Sequence, residues 1–186
     1  MEEINLFLEE AKDTMQKAIK HTEVELAKIR AGKAMPSMVE SVMVDYYGTA
    51  TPLNQVGSVT TPDARSIVIK PWEKKLIAEI EKAIRDANLG FNPTNDGDLV
   101  RIAIPPLTEE RRKSLVKQVK AEGETGKVRI RNIRKDTNEE LRKLLKDGAS
   151  EDDVKNAEDK VQTLTNDFIA KIDVILTKKE SEIMTI

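Results

Sequence analysis

Five side chains at three- or four-residue spacing form the part of this sequence best suited to binding chemistry. They are Lys127, Arg131, Arg134, Asn138 and Arg142. On a helix, with 100° between successive residues, they fall within about 80° of arc and share one face. Arginine makes bidentate contacts with phosphate groups, and its planar guanidinium also stacks on bases. The pattern therefore predicts either a face that binds a phosphate-rich polymer or a solvated face that pairs with neighbouring carboxylates.

The charges of the chain are sorted along its length. Residues 101–146 carry 14 Lys and Arg against 7 Asp and Glu, whereas residues 147–186 carry 5 against 10. Such sorting favours a polyanionic partner. The basic segment has no aromatic side chain on which bases could stack, so recognition of structured RNA or of DNA through backbone and shape is the expected mode. The alternative of a solvated face would draw on four carboxylates of the same helix: Glu124, Asp136, Glu139 and Glu140.

No residue pattern indicates catalysis. The chain has no cysteine, which excludes disulfides, thiolate metal sites and a cysteine nucleophile. Its single histidine, His21, has polar neighbours in a predicted helix, where a structural role is expected. The segment Gly123–Lys127 resembles the tail of a phosphate-binding loop, but Ala121 and Val128 occupy positions that need Gly and Ser or Thr. We therefore interpret the chain as a binding protein with no catalytic residue, metal or cofactor, and the glycines as sites of close helix contact or local loosening.

The amino-terminal segment predicts the compartment. Residues 1–10 are acidic and periodic, unlike a secretory signal or an arginine-rich transit peptide. No window approaches the roughly 18 apolar residues that span a bilayer. A soluble, cytoplasmic protein without membrane contact is expected.

Helical periodicity covers both ends of the chain and strand patterns cover its middle. Helices are predicted over residues 2–33, 73–88 and 105–146, and from 151 onward with Ser150 as the amino-terminal cap. Alternating β-branched residues near Val39–Tyr46, Ile67–Ile69 and Leu99–Ile104 predict strands.

Three amphipathic helices flanking this middle block predict an α+β protein with an elongated three-helix bundle and an inserted small domain. The predicted bundle comprises residues 1–30 and 106–186, and the inserted domain residues 31–105. Because two chain connections join the two bodies, hinges are expected near 31–35 and 105–106.

Four motifs in this order resemble the ribosome recycling factor family over essentially the whole chain. They are Lys28-Ile-Arg-Ala-Gly-Lys-Ala-Met-Pro-Ser37, Asp45-Tyr-Tyr-Gly-Thr-Ala-Thr-Pro-Leu53, Pro105-Pro-Leu-Thr-Glu-Glu-Arg-Arg-Lys113 and Val128-Arg-Ile-Arg-Asn-Ile-Arg-Lys-Asp136. The resemblance implies an L-shaped molecule whose short arm is a β/α/β domain. It also implies a monomeric translation factor that binds large-subunit rRNA of the post-termination ribosome. With elongation factor G, which binds the GTP, such a factor splits the ribosome into subunits and releases mRNA and tRNA.

The resemblance also assigns candidate ribosome-binding residues. The basic motif of the family maps onto Arg129, Arg131 and Arg134, of which Arg134 is the principal candidate, and Lys127 lies beside them. Arg30 and Lys33 are expected on the same RNA-facing surface. The family motif at the start of the long helix adds Arg111 and Arg112. Tyr46 and Tyr47 match a family motif as well, and a role in folding the small domain is expected for them.

The residues alone leave two other interpretations open. One is a generic nucleic-acid-binding or dimerising helical protein, which would bind duplex DNA or self-associate through its apolar stripes. The other is a hydrolase that uses a pair of carboxylates.

Overall fold

Three long helices make up the first of the two units into which the chain divides. The computed structural model describes residues 2–185. The first unit comprises the chain up to Ala31 together with Glu109–Thr185, and the second comprises Gly32–Thr108. The first is helical and the second carries the strands, so the predicted α+β class is confirmed.

The helical unit is built from α1 (Glu2–Lys28), α4 (Glu109–Lys143) and α5 (Glu151–Thr185). At 35 residues each, α4 and α5 are about 52 Å long. Every helix buries one apolar stripe, which is why none would be stable alone in water. These stripes meet in one cluster near the start of α1 and the turn between α4 and α5. Its buried residues are Ile4, Leu141, Leu144, Val154, Ala157 and Val161.

Two helix ends show how local chemistry sets the boundaries. The predicted extension of α1 to residue 33 is wrong. The Ile29 backbone N–H donates to the carbonyl of Leu26 at 3.1 Å, an i to i−3 bond that closes the last turn, and Gly32 has φ +71°. At α5 the predicted cap is confirmed, because the backbone N–H of Asp153 donates to Oγ of Ser150 at 3.1 Å.

The small unit is a four-stranded antiparallel sheet with a separate hairpin and a covering helix. The strands of the sheet lie in the order β3 (Gly57–Asp63), β4 (Ser66–Pro71), β6 (Val100–Ala103) and β5 (Pro93–Asn95). The hairpin consists of β1 (Met43–Tyr46) and β2 (Thr49–Pro52). The helices of this unit are α2 (Leu53–Val56) and α3 (Ile77–Asp86). Ile67 faces Ile102 across β4 and β6, and both are fully buried. α3 buries Ile80 and Ile84 in the same core.

The strand predicted to begin at Val39 is wrong, because Pro36–Val39 forms a 3₁₀ turn. Proline at its first position fixes φ near −65°, which suits a helical turn. The N–H of Met38 then donates to the carbonyl of Met35 at 3.0 Å. Val39 is nevertheless buried in the core of the small unit.

Tyr46 and Tyr47 share one carboxylate within the small unit. Their hydroxyls donate to Oε1 and Oε2 of Glu73, each at 3.0 Å. Lys75 completes the cluster, with Nζ 3.0 Å from Glu73 and 4.6 Å from the centre of the Tyr47 ring. Tyr47 has φ +51°. The hydrogen bond to Glu73, and then the negative charge of that carboxylate, raise the pKa of the Tyr46 hydroxyl.

Glu73→Gln is expected to move the ionisation of Tyr46 to lower pH. The variant removes the charge that disfavours the phenolate, so the ultraviolet absorbance of tyrosinate should rise earlier in an alkaline titration. A raised folded-state pKa stabilises the fold below the unfolded-state pKa, and this contribution is lost as pH rises through the folded-state pKa. The stability advantage of the parent over Glu73→Gln should therefore shrink above about pH 10. Glu81→Gln on α3 is the matched control, and equal titration curves for all three proteins would contradict the assignment.

Candidate nucleic-acid interface

α4 positions the basic side chains, and its sequence explains why a helix forms there. Glu109 and Glu110 lie in its first turn and Arg142 and Lys143 in its last, which suits the helix dipole at both ends. Its buried stripe consists of Leu115, Val119, Gly123, Gly126, Ile130 and Leu141. The basic positions flank this stripe, so packing of the stripe against α1 and α5 fixes where each cation lies.

Gly123 and Gly126 bring the basic segment close to both neighbouring helices. A Cβ at position 126 would lie 2.6 Å from Oγ1 of Thr22 on α1, and a Cβ at position 123 would collide with the Leu176 side chain on α5. Both glycines are buried. The interpretation of these glycines as sites of close helix contact is confirmed.

Three members of the predicted basic face contact α5. Lys127 Nζ lies 2.5 Å from Oδ1 of Asp173, and the Lys127 side chain is only 19% exposed. Arg142 Nε lies 2.6 Å from Oε1 of Glu158. Arg134 Nη1 donates to Oε1 of Gln162 at 3.0 Å.

Some of the carboxylates in residues 147–186 thus form ion pairs with α4 inside the protein. Carboxylates of α5 neutralise Lys127 and Arg142, whereas Arg134 meets a neutral amide and keeps its full charge. The charge sorting seen in the sequence therefore reflects helix pairing as well as any external partner. Of the α4 carboxylates considered as partners for this face, Glu124 pairs with Arg131.

Arg131 is exposed, whereas Arg129 and Arg134, the other arginines of the basic motif, are half-buried. Its Nη1 lies 2.9 Å from Oε1 of Glu124, with the two side chains 45% and 60% exposed. An ion pair this exposed contributes at most about 1 kcal/mol. Arg131 can therefore exchange this carboxylate for a phosphate at little cost.

Arg129 lies on the other side of α4 from Arg131. Two residues on a helix are separated by about 200°, which leaves their side chains some 160° apart. Arg129 Nη1 is 2.7 Å from Nδ1 of His21 on α1. The three arginines of the motif therefore flank α4 on two sides, with Arg131 and Arg134 on the predicted basic face and Arg129 toward α1.

Arg30 and Arg111 line a cleft of about 580 Å³ between α1 and α4. Lys28 and Glu25 lie in the same cleft, with Lys28 Nζ 2.8 Å from Oε1 of Glu25. This hydrogen bond is the first cause of a lowered pKa of the Glu25 carboxyl, and the positive charge of Arg129 lowers it further. Glu25 lines the cleft and lies one turn after His21 on α1, so the cleft adjoins the His21–Arg129 pair.

The remaining two predicted residues are Arg112 and Lys33. Arg112 donates from Nη1 to the backbone carbonyl of Met184 at 2.9 Å, which satisfies a carbonyl at the end of α5 that lacks a helical partner. Lys33 is exposed and belongs to the small unit. It therefore does not share the helical unit with Arg30.

Sequence reasoning missed two side chains on the outer side of α4. Val128 projects from α4 at a helical angle between those of Arg129 and Arg131, and its side chain is 43% exposed. Lys135 is exposed beside Arg134. Their helical angles place both away from the buried stripe, and this signal was available in the sequence. Together with Arg131 they form a basic surface with an apolar centre.

Metal-binding clusters and membrane-spanning helices are absent from residues 2–185. Within that range, no group of three or more His, Cys, Asp or Glu side chains is arranged to hold a metal ion. None of the helices in the described part of the chain is long and apolar enough to cross a membrane.

Comparison with known proteins matches the chain over its whole length. The family model described as Ribosome recycling factor matches residues 22–184. The ribosome-recycling factor of Cytophaga hutchinsonii is 67% identical over 186 residues, covering 100% of both chains. That of Amoebophilus asiaticus is 58% identical, again over 100% of both.

Solved structures give the same result. A solution structure of the ribosome recycling factor has a TM-score of 0.67 and 38% identity, with 100% of both chains covered. The second is the T. thermophilus ribosome recycling factor, from models of that factor and E. coli elongation factor G bound to the E. coli post-termination complex. It has a TM-score of 0.58 and 46% identity, and 97% of this chain and 98% of that chain are covered.

Proposed function

We propose, because this chain belongs to the ribosome recycling factor family, that it acts on the post-termination ribosome with elongation factor G and GTP. In this proposal it promotes dissociation into subunits and so releases mRNA and tRNA. GTP is bound and hydrolysed by the elongation factor, and the chain contributes binding rather than catalysis. The observation that carries the proposal is the 67% identity to a ribosome-recycling factor over the full length of both proteins.

The proposed contact with the ribosome is a contact with large-subunit rRNA, and α4 supplies its centre. Arg131 and Arg134 would bind backbone phosphates, since Arg131 pairs with an exposed carboxylate and Arg134 with a neutral amide. Arg129 would extend the contact to the α1 side. Lys127, whose charge is taken up by Asp173, would act mainly by holding α5 against α4.

The cleft between α1 and α4 supports a second part of the same contact. Arg30 and Arg111 line it, and Lys28 adds a third cation. Guanidinium groups around a cleft of this size suit the backbone of a folded RNA, in which phosphates protrude. Arg112 would contribute less, because its guanidinium is bonded to the Met184 carbonyl. Lys33, exposed in the small unit, remains a proposed contact.

Division of the chain into two units suggests how force could be used. The helical unit would anchor the monomeric protein on rRNA, while the elongation factor pushes the small unit. The connections near residues 31–35 and 105–106 would serve as hinges. Relaxation measurements in which both units tumble as one rigid body would contradict the hinges.

A splitting assay tests the proposal. Post-termination ribosomes are mixed with the protein, elongation factor G and GTP, and the fraction of free subunits is measured by sedimentation. We expect this fraction to rise only when both factors and GTP are present, and to stay low with a non-hydrolysable GTP analogue. A free-subunit fraction that does not respond to the protein would refute the recycling function.

A further inference from the structure

We infer that His21 is a positioning residue that holds the Arg129 guanidinium toward RNA, an inference that rests on the proposed contact between Arg129 and rRNA. The supporting geometry is the 2.7 Å distance between Arg129 Nη1 and His21 Nδ1, which joins α4 to α1. His21 is 108 residues away in the chain. This cross-helix hydrogen bond gives the one histidine of the chain a role.

The chemistry of the pair determines which atom carries the proton. A guanidinium group has only donors, so Arg129 must donate and Nδ1 must accept. Nδ1 is therefore unprotonated, and the proton of the neutral imidazole lies on Nε2. In this state the imidazole accepts from the arginine and adds no positive charge of its own, so the charge offered to a phosphate is that of Arg129.

The groups around the pair favour this arrangement. Along α1, Lys17 lies one turn before His21 and Glu25 one turn after it. The pKa of Glu25 is lowered first by its hydrogen bond from Lys28, and the positive charge of Arg129 acts in the same direction. On the other side of α1, Asp167 and Lys171 of α5 line a separate cleft with Ile19 and Glu23. Arg129 therefore bonds to an imidazole acceptor and is close enough to the Glu25 carboxylate for its charge to act on it.

A long arginine loses much side-chain entropy when it is fixed by a ligand. Partial restraint in the free protein reduces that loss, and the contact with phosphate becomes stronger. The Val128 side chain, 43% exposed beside Arg129, offers an apolar surface to the same ligand. His21 would thus raise affinity without touching RNA.

Four variants of the full-length protein test this role through their affinity for ribosomes. His21→Ala should weaken binding about fivefold, which corresponds to about 1 kcal/mol. His21→Asn should bind as the parent does, because Asn Oδ1 is attached to Cγ as His Nδ1 is and can accept the same bond. Arg129→Ala should weaken binding to ribosomes about twentyfold. His21→Ala should have no further effect in the Arg129→Ala background.

The free protein provides a readout that does not depend on the ribosome. Long-range ¹⁵N spectra of the imidazole should show the neutral tautomer with its proton on Nε2, and this signature should persist while Arg129 is present. A proton on Nδ1 would overturn the inference. So would affinity of His21→Ala equal to that of the parent, additive losses in the double variant, or failure of His21→Asn to restore binding. An Arg129→Ala variant that binds ribosomes with the affinity of the parent would instead refute the proposed contact between Arg129 and rRNA.

Discussion

Arg134→Glu is expected to weaken binding to ribosomes by about a hundredfold or more while leaving the fold intact. A charge-assisted hydrogen bond is worth about 1.5–3 kcal/mol, and the new carboxylate adds repulsion toward phosphate. Within the protein, Arg134 has an exposed hydrogen bond to Gln162. Glutamate favours helices about as much as arginine does, so the free energy of unfolding should change by no more than about 0.5 kcal/mol.

The matched control is Lys12→Glu, which makes the same change of charge on the α1–α5 side of the helical unit. Lys12 lines a cleft with Asp159 and Lys160, away from the α4 surface. Affinity is measured at several salt concentrations, because lost phosphate contacts also flatten the dependence of log affinity on log salt. Circular dichroism and thermal melting check the fold. Equal losses in both variants would indicate a general charge effect, and unaltered binding by Arg134→Glu would remove this residue from the interface.

Periodicity in the sequence was sufficient to predict the three long helices and the small sheet unit. Apolar spacing is a property of each helix alone, so it can be read before any partner is known. The end of α1 could not be placed in this way. It depends on an i to i−3 bond from Ile29 and on a left-handed Gly32, and both follow from the path that the chain takes after the helix.

The candidate surface was predicted less completely, for two different reasons. Helical angles alone place Arg129 far from Arg131, so their separation was available in the sequence. The residues that contact these cations from other helices could not be predicted from the sequence. Asp173 neutralises Lys127 from a helix 46 residues later, and its position depends on the register between α4 and α5. His21 became informative only when packing placed it beside Arg129.

Asn138 is a second side chain of α4 whose surroundings could not be predicted from its spacing in the sequence. Its spacing assigned it to the basic face, yet its Oδ1 atom is buried without a hydrogen-bond partner among the described residues. An unsatisfied buried acceptor costs about 1–3 kcal/mol. Spacing gives the direction of a side chain from its own helix, while burial depends on how closely the neighbouring helix approaches.

Gly126→Val is expected to lower the free energy of unfolding of the helical unit by about 3 kcal/mol. A Cβ at this position would lie 2.6 Å from Oγ1 and 3.2 Å from Cγ2 of Thr22. Thr22 is fully buried, and its hydroxyl donates to the Ala18 carbonyl at 3.0 Å. It cannot move aside without breaking that bond. Valine gains only a few tenths of a kcal/mol over glycine in helix propensity, so the steric cost dominates.

Ala121→Val is the matched control, because position 121 is exposed on the same helix and accepts a β-branched side chain without a collision. Urea unfolding followed by far-ultraviolet circular dichroism reports mainly the helical unit, and the control should stay within about 1 kcal/mol of the parent. Thr22→Ala removes the two nearest atoms that a Cβ at position 126 would meet and leaves Cδ1 of Ile172, at an ordinary contact distance of 3.4 Å. Gly126→Ala should therefore destabilise the parent more than it destabilises Thr22→Ala. Equal costs in the two backgrounds would show that the close approach of α4 to α1 is not what requires this glycine.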